Sequence, residues 1–287
     1  MEFSVLMSVY HKENPQRLQT ALQSNISDQT LKPKQLVLVC DGPLNKMLDE
    51  VIEKYESAYP DIMKVCRLEK NGGLGKALKY GLEKCDYELV ARSDSDDVCV
   101  PNRFELQISY MQEHPEVSAS SGTIDEFSDD YTHPNRIKHM PLTHEELCQY
   151  AKRRNPLNHM ATIFRKSDIL EVGSYEHLQY LEDYYLWVKL IASGKRIGNM
   201  DELLVHACVG NGMVERRGDK RCIKSWKALG KYMVSNNLQS WLDYLISIAK
   251  ITLWCYFPKK IRTFVYDNIL RKKIDIAYQK FSHDALH

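Results

Sequence analysis

"ELVARSDSDD", residues 88–97, is apolar through Leu89–Ala91 and then sets three carboxylates in four positions, Asp94, Asp96 and Asp97. Like charges about 4 Å apart repel by roughly 4 kcal/mol per pair at an effective dielectric near 20. Asp94 and Asp96 stand two apart at the end of an extended segment, so their side chains point to one side. Carboxylates gathered on one side are tolerated when a divalent cation sits between them. Hard oxygen ligands suit Mg²⁺ or Mn²⁺, completed by phosphate oxygens and water. A solvated acidic turn capping the following helix explains the same residues without a ligand. The surroundings of the stretch weigh between the two.

N-terminal to it, apolar runs alternate with helical stripes. "FSVLMSVY" reads as a first strand, and "NPQRLQTALQSNI" follows with Leu18, Ala21, Leu22 and Ile26 at helical spacing. "QLVLVCDG" is a second strand. Leu44, Met47, Leu48, Val51, Ile52 and Tyr55 then form a second helical stripe. "MKVCRLEK" is a third strand, and "GLGKALKYGLEKC" a third helix with Leu74, Ala77, Leu78, Leu82 and Cys85 on one face. "YELVARSD" is the fourth strand. Repeats of about 25–30 residues predict right-handed crossovers and a mostly parallel sheet flanked by helices, an α/β fold. In such sheets ligands bind outside the carboxyl ends of the strands. Three of those ends are polar: Tyr10–Glu13, Asp41–Gly42 and Ser93–Asp97. Their convergence on one crevice favours a nucleotide-like ligand over a scaffold, and a metal at the acidic stretch.

C-terminal to it the pattern loosens. "PNRFELQISYMQEHPE" predicts a helix opened by Pro101, "SASSGTIDEF" a strand, and "THEELCQYAKRR" a helix with a Thr143–Glu146 capping box. "HMATIFRKS" predicts a strand and "EDYYLWVKLIASG" a helix stopped by Gly194. Past residue 214 the composition turns basic and aromatic. The expected division is residues 1–214 as a catalytic domain and 215–287 as a helical C-terminal region, with 1–100 and 101–214 as the two halves of the domain.

Composition limits the classes. The 287 residues are 44% hydrophobic and 27% charged, in the range of a globular chain. The 39 basic residues nearly cancel 38 acidic ones, so no overall field points to a nucleic-acid partner. Eight scattered cysteines without a C-x-x-C argue against a zinc site or a disulfide framework and favour the reducing cytoplasm. "MEFSVLMSVYHKEN" reads as a strand rather than a signal peptide. No uncharged run reaches the roughly 18 residues of a membrane span.

"DSDD" after the fourth strand, "CDG" after the second, "NGGLGKAL" before the third helix and "LEDYYLW" downstream together resemble the inverting family 2 glycosyltransferases of GT-A fold. The resemblance covers roughly residues 2–210. Within the family it is nearest to the bacterial enzymes that build O-antigen and exopolysaccharide repeat units. It implies that Ser8 to Tyr10 and Glu13 line a uridine pocket and that Asp41 hydrogen-bonds the uracil ring. It implies too that Asn71, Gly72 and Gly73 let the nucleotide approach the backbone, with Lys76 facing it. Asp94 would lie near ribose and metal, Asp96 would be the direct ligand, and Asp97 would support both. A metal on the departing diphosphate acts as a Lewis acid. Asp183 matches the family's base, on the aspartate of an Glu-Asp pair, and Glu182 would orient the acceptor or the loop. Asn158 and His159 precede this pair as candidate sugar contacts, with a structural histidine as the alternative. "GNGMVERRG" offers Arg216 and Arg217 to the diphosphate, or is a solvated surface loop.

"SWLDYLISIAKITLWCYF", residues 240–257, places Ser240, Asp243, Ser247 and Lys250 on one stripe and apolar side chains on the rest. "PKKIRTFVYDNILRKK" then adds six basic residues against one acid. The pattern suits a helix in the membrane interface beside anionic headgroups, or a helix packed on the core or on a dimer partner. The expectation is a metal-dependent, inverting enzyme moving a hexose, galactose or glucose, from a UDP-sugar to a lipid diphosphate-linked saccharide through a β-linkage, peripheral on the inner face of the cell membrane. Two rivals stand beside it. A sugar-nucleotide pyrophosphorylase should carry a glycine-rich loop after strand one, where "SVYHKENP" has no glycine. A catalytically silent nucleotide-binding subunit should lack one of Asp94, Asp96 and Asp183. A processive synthase is disfavoured for want of spanning helices.

Overall fold

The computed structural model describes residues 1–209 and 219–257. Its first half follows the expected alternation: β1 (Phe3–Val9), α1 (Pro15–Ile26), β2 (Gln35–Cys40), α2 (Lys46–Ala58), β3 (Met63–Arg67), α3 (Leu74–Lys84) and β4 (Leu89–Asp94). These four strands pair in parallel in the order β3-β2-β1-β4. From β1 the chain winds outward to one side and then returns to the other, so a crevice opens between the carboxyl ends of β1 and β4, where ligands of such sheets bind.

The second half adds β5 (Val98–Cys99), α4 (Arg103–Glu113), β6 (Val117–Phe127), β7 (Arg136–Lys138), α5 (His144–Tyr150), β8 (Ile163–Arg165), α6 (Lys166–Glu171), α7 (Glu182–Ala192) and β9 (Arg196–Cys208). β8 runs antiparallel between β4 and β6, and β9 is parallel to β6. The sheet continues β4-β8-β6-β9-β5 and is mixed on this side.

Strand alternation sends side chains to two cores. Phe3, Val5 and Met7 of β1, with Leu36 and Leu38 of β2, meet Leu18, Leu22, Leu48, Ile52, Phe104 and Ile108 from α1, α2 and α4. Leu6, Val37, Val39 and Val90 meet Ala77, Leu78, Leu186, Trp187 and Leu190 from α3 and α7 on the opposite face. α3 lies against the sheet at Gly81, where a Cβ would come within 2.5 Å of Leu6 and 2.6 Å of Val39.

Several expectations are corrected. Met47 and Leu74 are exposed at the N-terminal ends of α2 and α3, where the helices have not yet closed on the sheet. Leu44 precedes α2. Pro101 stands before the cap residue Asn102 rather than in the helix. "HMATIFRKS" splits: His159–Ala161 is a 3-10 turn, β8 has three residues, and Lys166 begins α6. The predicted capping box of Thr143 and Glu146 is formed.

Beyond β9 lie α8 (Cys222–Ser235) and α9 (Trp241–Tyr256). Leu229 and Met233 of α8 pack on Leu181, Tyr184 and Val188 around α7. α9 packs on α8 through Tyr244, whose ring would lie 2.4 Å from a Cβ at Gly230. The residues 210–218, with Arg216 and Arg217, and the basic tail 258–287 lie outside the described residues.

Candidate active site

The end of β2 organises one wall. Asp41 is buried, and its Oδ1 and Oδ2 accept from the backbone N–H groups of Gly72 and Gly73 at 2.7 and 2.9 Å. The Asn71 amide donates to the Asp41 carbonyl at 3.1 Å. A Cβ at Gly42 would stand 2.6 Å from Asn71 N, and Gly42 has φ +85°, so only glycine lets the two loops close. Asp41 therefore folds the 71–73 loop. Lys76 is exposed, its stem against Gly72.

Ser8, at the end of β1, stands opposite Asp94 in the sheet register. Tyr10 is exposed at the rim. Glu13 is committed within the site: its Oε1 accepts from Asn14 N–H at 2.8 Å and its Oε2 from the Ser95 hydroxyl at 2.8 Å. It clamps Ser95, the residue between Asp94 and Asp96.

After Asp94 the chain bends and brings all three acids together. One oxygen of each of Asp94, Asp96 and Asp97 lies within 4.8 Å of the others. Asp97 Oδ1 accepts from Cys208 N–H at 2.7 Å, which ties the cluster to the end of β9. Its Oδ2 is buried with no hydrogen-bond partner among the described residues. Burial pushes the Asp96 carboxyl up to about 7, and the charges of Asp94 and Glu13 add to it. Burial, with Asp96 and Asp94, pushes Asp97 well above the carboxylate range. Hard oxygen donors, mutual repulsion and an orphaned carboxylate oxygen fit a divalent cation.

Asp94 also pairs with the Arg92 guanidinium, which the sequence reading missed because Arg92 sits inside an apolar run. Arg92 shares a face of β4 with Val90 and is buried. Its charge acts on Asp96 and Asp97 and, on the other side, on Asp183.

Asp183 and Glu182 open α7, with no side-chain cap before them. Asp183 Oδ1 accepts from Tyr184 N–H at 2.7 Å and Oδ2 from the Asn155 amide at 2.5 Å. Burial raises its pKa, and these two donors and Arg92 oppose the rise. Asn155 was also missed; Asn-Pro reads as a turn, and nothing in it announces a partner 28 residues away. Glu182 is buried against the third helix, its Cγ 2.9 Å from where a Gly75 Cβ would stand. Burial pushes it up to about 7. Glu182 thus meets the first turn of α3, just after the loop that Asp41 folds.

Asn158 and His159 are built into the fold. Asn158 donates to the Gly122 carbonyl at 2.9 Å and accepts from Lys138 at 2.6 Å. His159 is buried with its Nε2 3.0 Å from the Tyr175 hydroxyl, and burial holds it well below its usual pKa, hence neutral.

This chain belongs to the family 2 glycosyl transferases, whose family model matches residues 4–171, and it is a glycosyltransferase. It is 38% identical over 265 residues to the amylovoran biosynthesis glycosyltransferase AmsE of Erwinia amylovora, spanning 92% of this chain and 98% of that one. It is 35% identical over 272 residues to the UDP-Gal:alpha-D-GlcNAc-diphosphoundecaprenol beta-1,3-galactosyltransferase of Escherichia coli, spanning 94% and 97%. Its fold is that of the crystal structure of GalNAc-T7 with UDP, GalNAc and Mn²⁺, at TM-score 0.66 and 16% identity over 99% of this chain and 58% of that one. Family membership sets aside the pyrophosphorylase and the silent subunit.

Proposed function

We propose that this glycosyltransferase is inverting and metal-dependent, and that it moves a hexose from a UDP-sugar to a lipid diphosphate-linked saccharide in the assembly of a polysaccharide repeat unit. The observation that carries the reading is the three-carboxylate cluster at the carboxyl end of β4, beside the loop folded by Asp41. Residues 1–100 hold the donor, and residues 101–214 supply the base and the acceptor side. The 71–73 loop and the residues after β1 receive the nucleotide. Asp94, Asp96 and Asp97 would hold a Mn²⁺ or Mg²⁺ ion, which would supply Lewis-acid stabilisation of the leaving diphosphate. Arg216 and Arg217 remain proposed partners of the diphosphate.

Inversion requires the acceptor hydroxyl to attack opposite the diphosphate while a base takes its proton. Asp183 is that base: its burial makes the carboxylate a stronger acceptor, and Asn155 and the Tyr184 N–H fix its direction. Glu182 braces the start of α7 against the first turn of α3.

The E. coli relative is named for UDP-galactose and a diphosphoundecaprenol-linked acceptor, and supports galactose as the first donor to try and a lipid-linked acceptor here. No described helix is long and apolar enough to cross a membrane. α9 instead exposes Trp241, Leu242, Leu245, Ile246, Leu253 and Tyr256 on its outer side. With six basic residues against one acid in 258–273, this side is proposed to lie on an anionic bilayer at the cytoplasmic face, where such an acceptor is held.

The test is transfer by the purified chain from UDP-galactose and UDP-glucose to synthetic lipid-diphosphate sugars with Mn²⁺, followed by linkage analysis. A β-linked product lost with EDTA supports the reading. Undiminished transfer in EDTA, or retention of the donor's anomeric configuration, contradicts it.

A further inference from the structure

The chain turns sharply just before the acid pair. Leu181 N–H donates to the Leu178 carbonyl at 2.8 Å, closing a four-residue turn over residues 178–181 that leads straight into α7. Tyr180, third in this turn, has φ +66°. Glycine or asparagine normally fills that position, because an L side chain there crowds its own backbone. Among the described residues only Ser174, Tyr180 and Asn237 carry a side chain at positive φ, and Tyr180 is the bulky one. An outlier of this kind persists only where its surroundings hold it.

What holds it lies beyond the sheet. The Tyr180 hydroxyl donates to Asp219 Oδ2 at 3.1 Å. Asp219 is itself fixed: Oδ2 accepts from Arg221 Nε at 2.8 Å and Oδ1 from Arg221 N–H at 2.9 Å. The Arg221 side chain and N–H hold the Asp219 pKa down to about 2, and a hydrogen bond to an ionised acceptor is a strong one. The Asp219 carbonyl accepts from the N–H of Cys222, the first residue of α8, at 3.0 Å. Leu178 and Leu181, the two ends of the turn, pack with Leu229 and Met233 of α8. No side chain caps α7, so its start is set by this turn and its packing, and with it the direction in which Asp183 points.

We infer that Tyr180 is a positioning residue for the transfer reaction: its bond to Asp219 pins the turn in a backbone shape that a tyrosine would otherwise leave, and so keeps Asp183 aimed at the acceptor hydroxyl. The segment that opens α8 is then part of the catalytic unit and not only a mount for α9. This rests on Asp183 as the base, proposed above.

The experiment measures kcat for transfer from UDP-galactose or UDP-glucose to the synthetic lipid-diphosphate sugars, and UDP affinity by calorimetry. It compares the full chain with Tyr180→Phe, with Asp219→Ala, and with Asp219→Ala carrying Tyr180→Gly, each checked for folding by circular dichroism. Tyr180→Phe keeps the ring and removes the bond. It is expected to lower kcat by about tenfold or more and to leave UDP affinity within about threefold, because a displaced base costs turnover and not donor binding. Asp219→Ala is expected to do the same. Adding Tyr180→Gly to it is expected to raise kcat again by about tenfold, because glycine takes the left-handed shape without a partner. A role in packing alone predicts the reverse, since the glycine removes the ring as well. If Asp219→Ala does not fold, the single variants decide, with Tyr180→Gly expected to turn over faster than Tyr180→Phe. Undiminished kcat in Tyr180→Phe, or a glycine that fails to raise kcat in its comparison, overturns the inference while Asp183 stands as the base. Should Asp183→Asn turn over as the parent does, the base reading falls and takes the inference with it.

Discussion

Asp183 and Glu182 are neighbours with the same chemistry and different surroundings, and their variants should separate accordingly. Asp183→Asn keeps the shape and the Asn155 contact side but cannot take a proton. It is expected to bind UDP as the parent does, by calorimetry, and to lose about 10²–10⁴-fold in turnover. Undiminished turnover would move the base elsewhere. Glu182 tests burial. Its carboxyl rises from 4.5 to about 7 on folding, because burial disfavours the charge. A group whose folded pKa is raised binds its proton more tightly in the folded chain, so its contribution is complete below the unfolded value and is lost as pH climbs through 4.5 to about 7. Glu182→Gln should therefore match the parent's denaturant midpoint near pH 4 and exceed it by about 3 kcal/mol in stability near pH 8. A variant less stable than the parent at pH 8 would show that the carboxylate is held, not merely tolerated.

The elements differ in how plainly the sequence announces them. β1 through β4 were readable because both sheet faces are covered, which makes the strands continuous apolar runs, and because Leu18, Ala21, Leu22 and Ile26 keep a clean helical period. β9 was not read at all. Asp201 and Glu202 stand exposed in its middle, and its pairing with β6 shifts register around Ser121–Ile124, so no single period runs through it. β5 and β7 are too short to leave a pattern. At the site, the acids were legible from type and order, but Arg92, Asn155 and the Glu13–Ser95 clamp depend on contacts that only the folded chain makes. α9 was legible as a helix with apolar and polar sides; in the fold Tyr244 and Cys255 pack inward, while Trp241, Leu242 and Leu245 face out, the side proposed above to meet a bilayer. Deleting the chain from Ser240 onward should thus leave a folded enzyme that no longer sediments with vesicles containing anionic lipid. Equal sedimentation of both forms would refute the interfacial role.

Across the whole molecule, two halves meet at one crevice. The parallel half delivers the Asp41-folded loop and the residues after β1. The mixed half delivers Cys208, which grips Asp97, and Asn155, which grips Asp183. Buried Arg92 lies in the strand that borders both and acts on the carboxylates of each. Such an arrangement makes sense if negative charge enters the crevice together with a cation, and the cluster's repulsion is relieved at that moment. Anomalous diffraction at the manganese edge, from crystals grown with UDP and Mn²⁺, examines this directly. The account predicts a single manganese peak bridging Asp96 and the diphosphate, with uracil beside Asp41. Nucleotide bound in the crevice without a metal peak at the three aspartates, or bound away from Asp41, would contradict it.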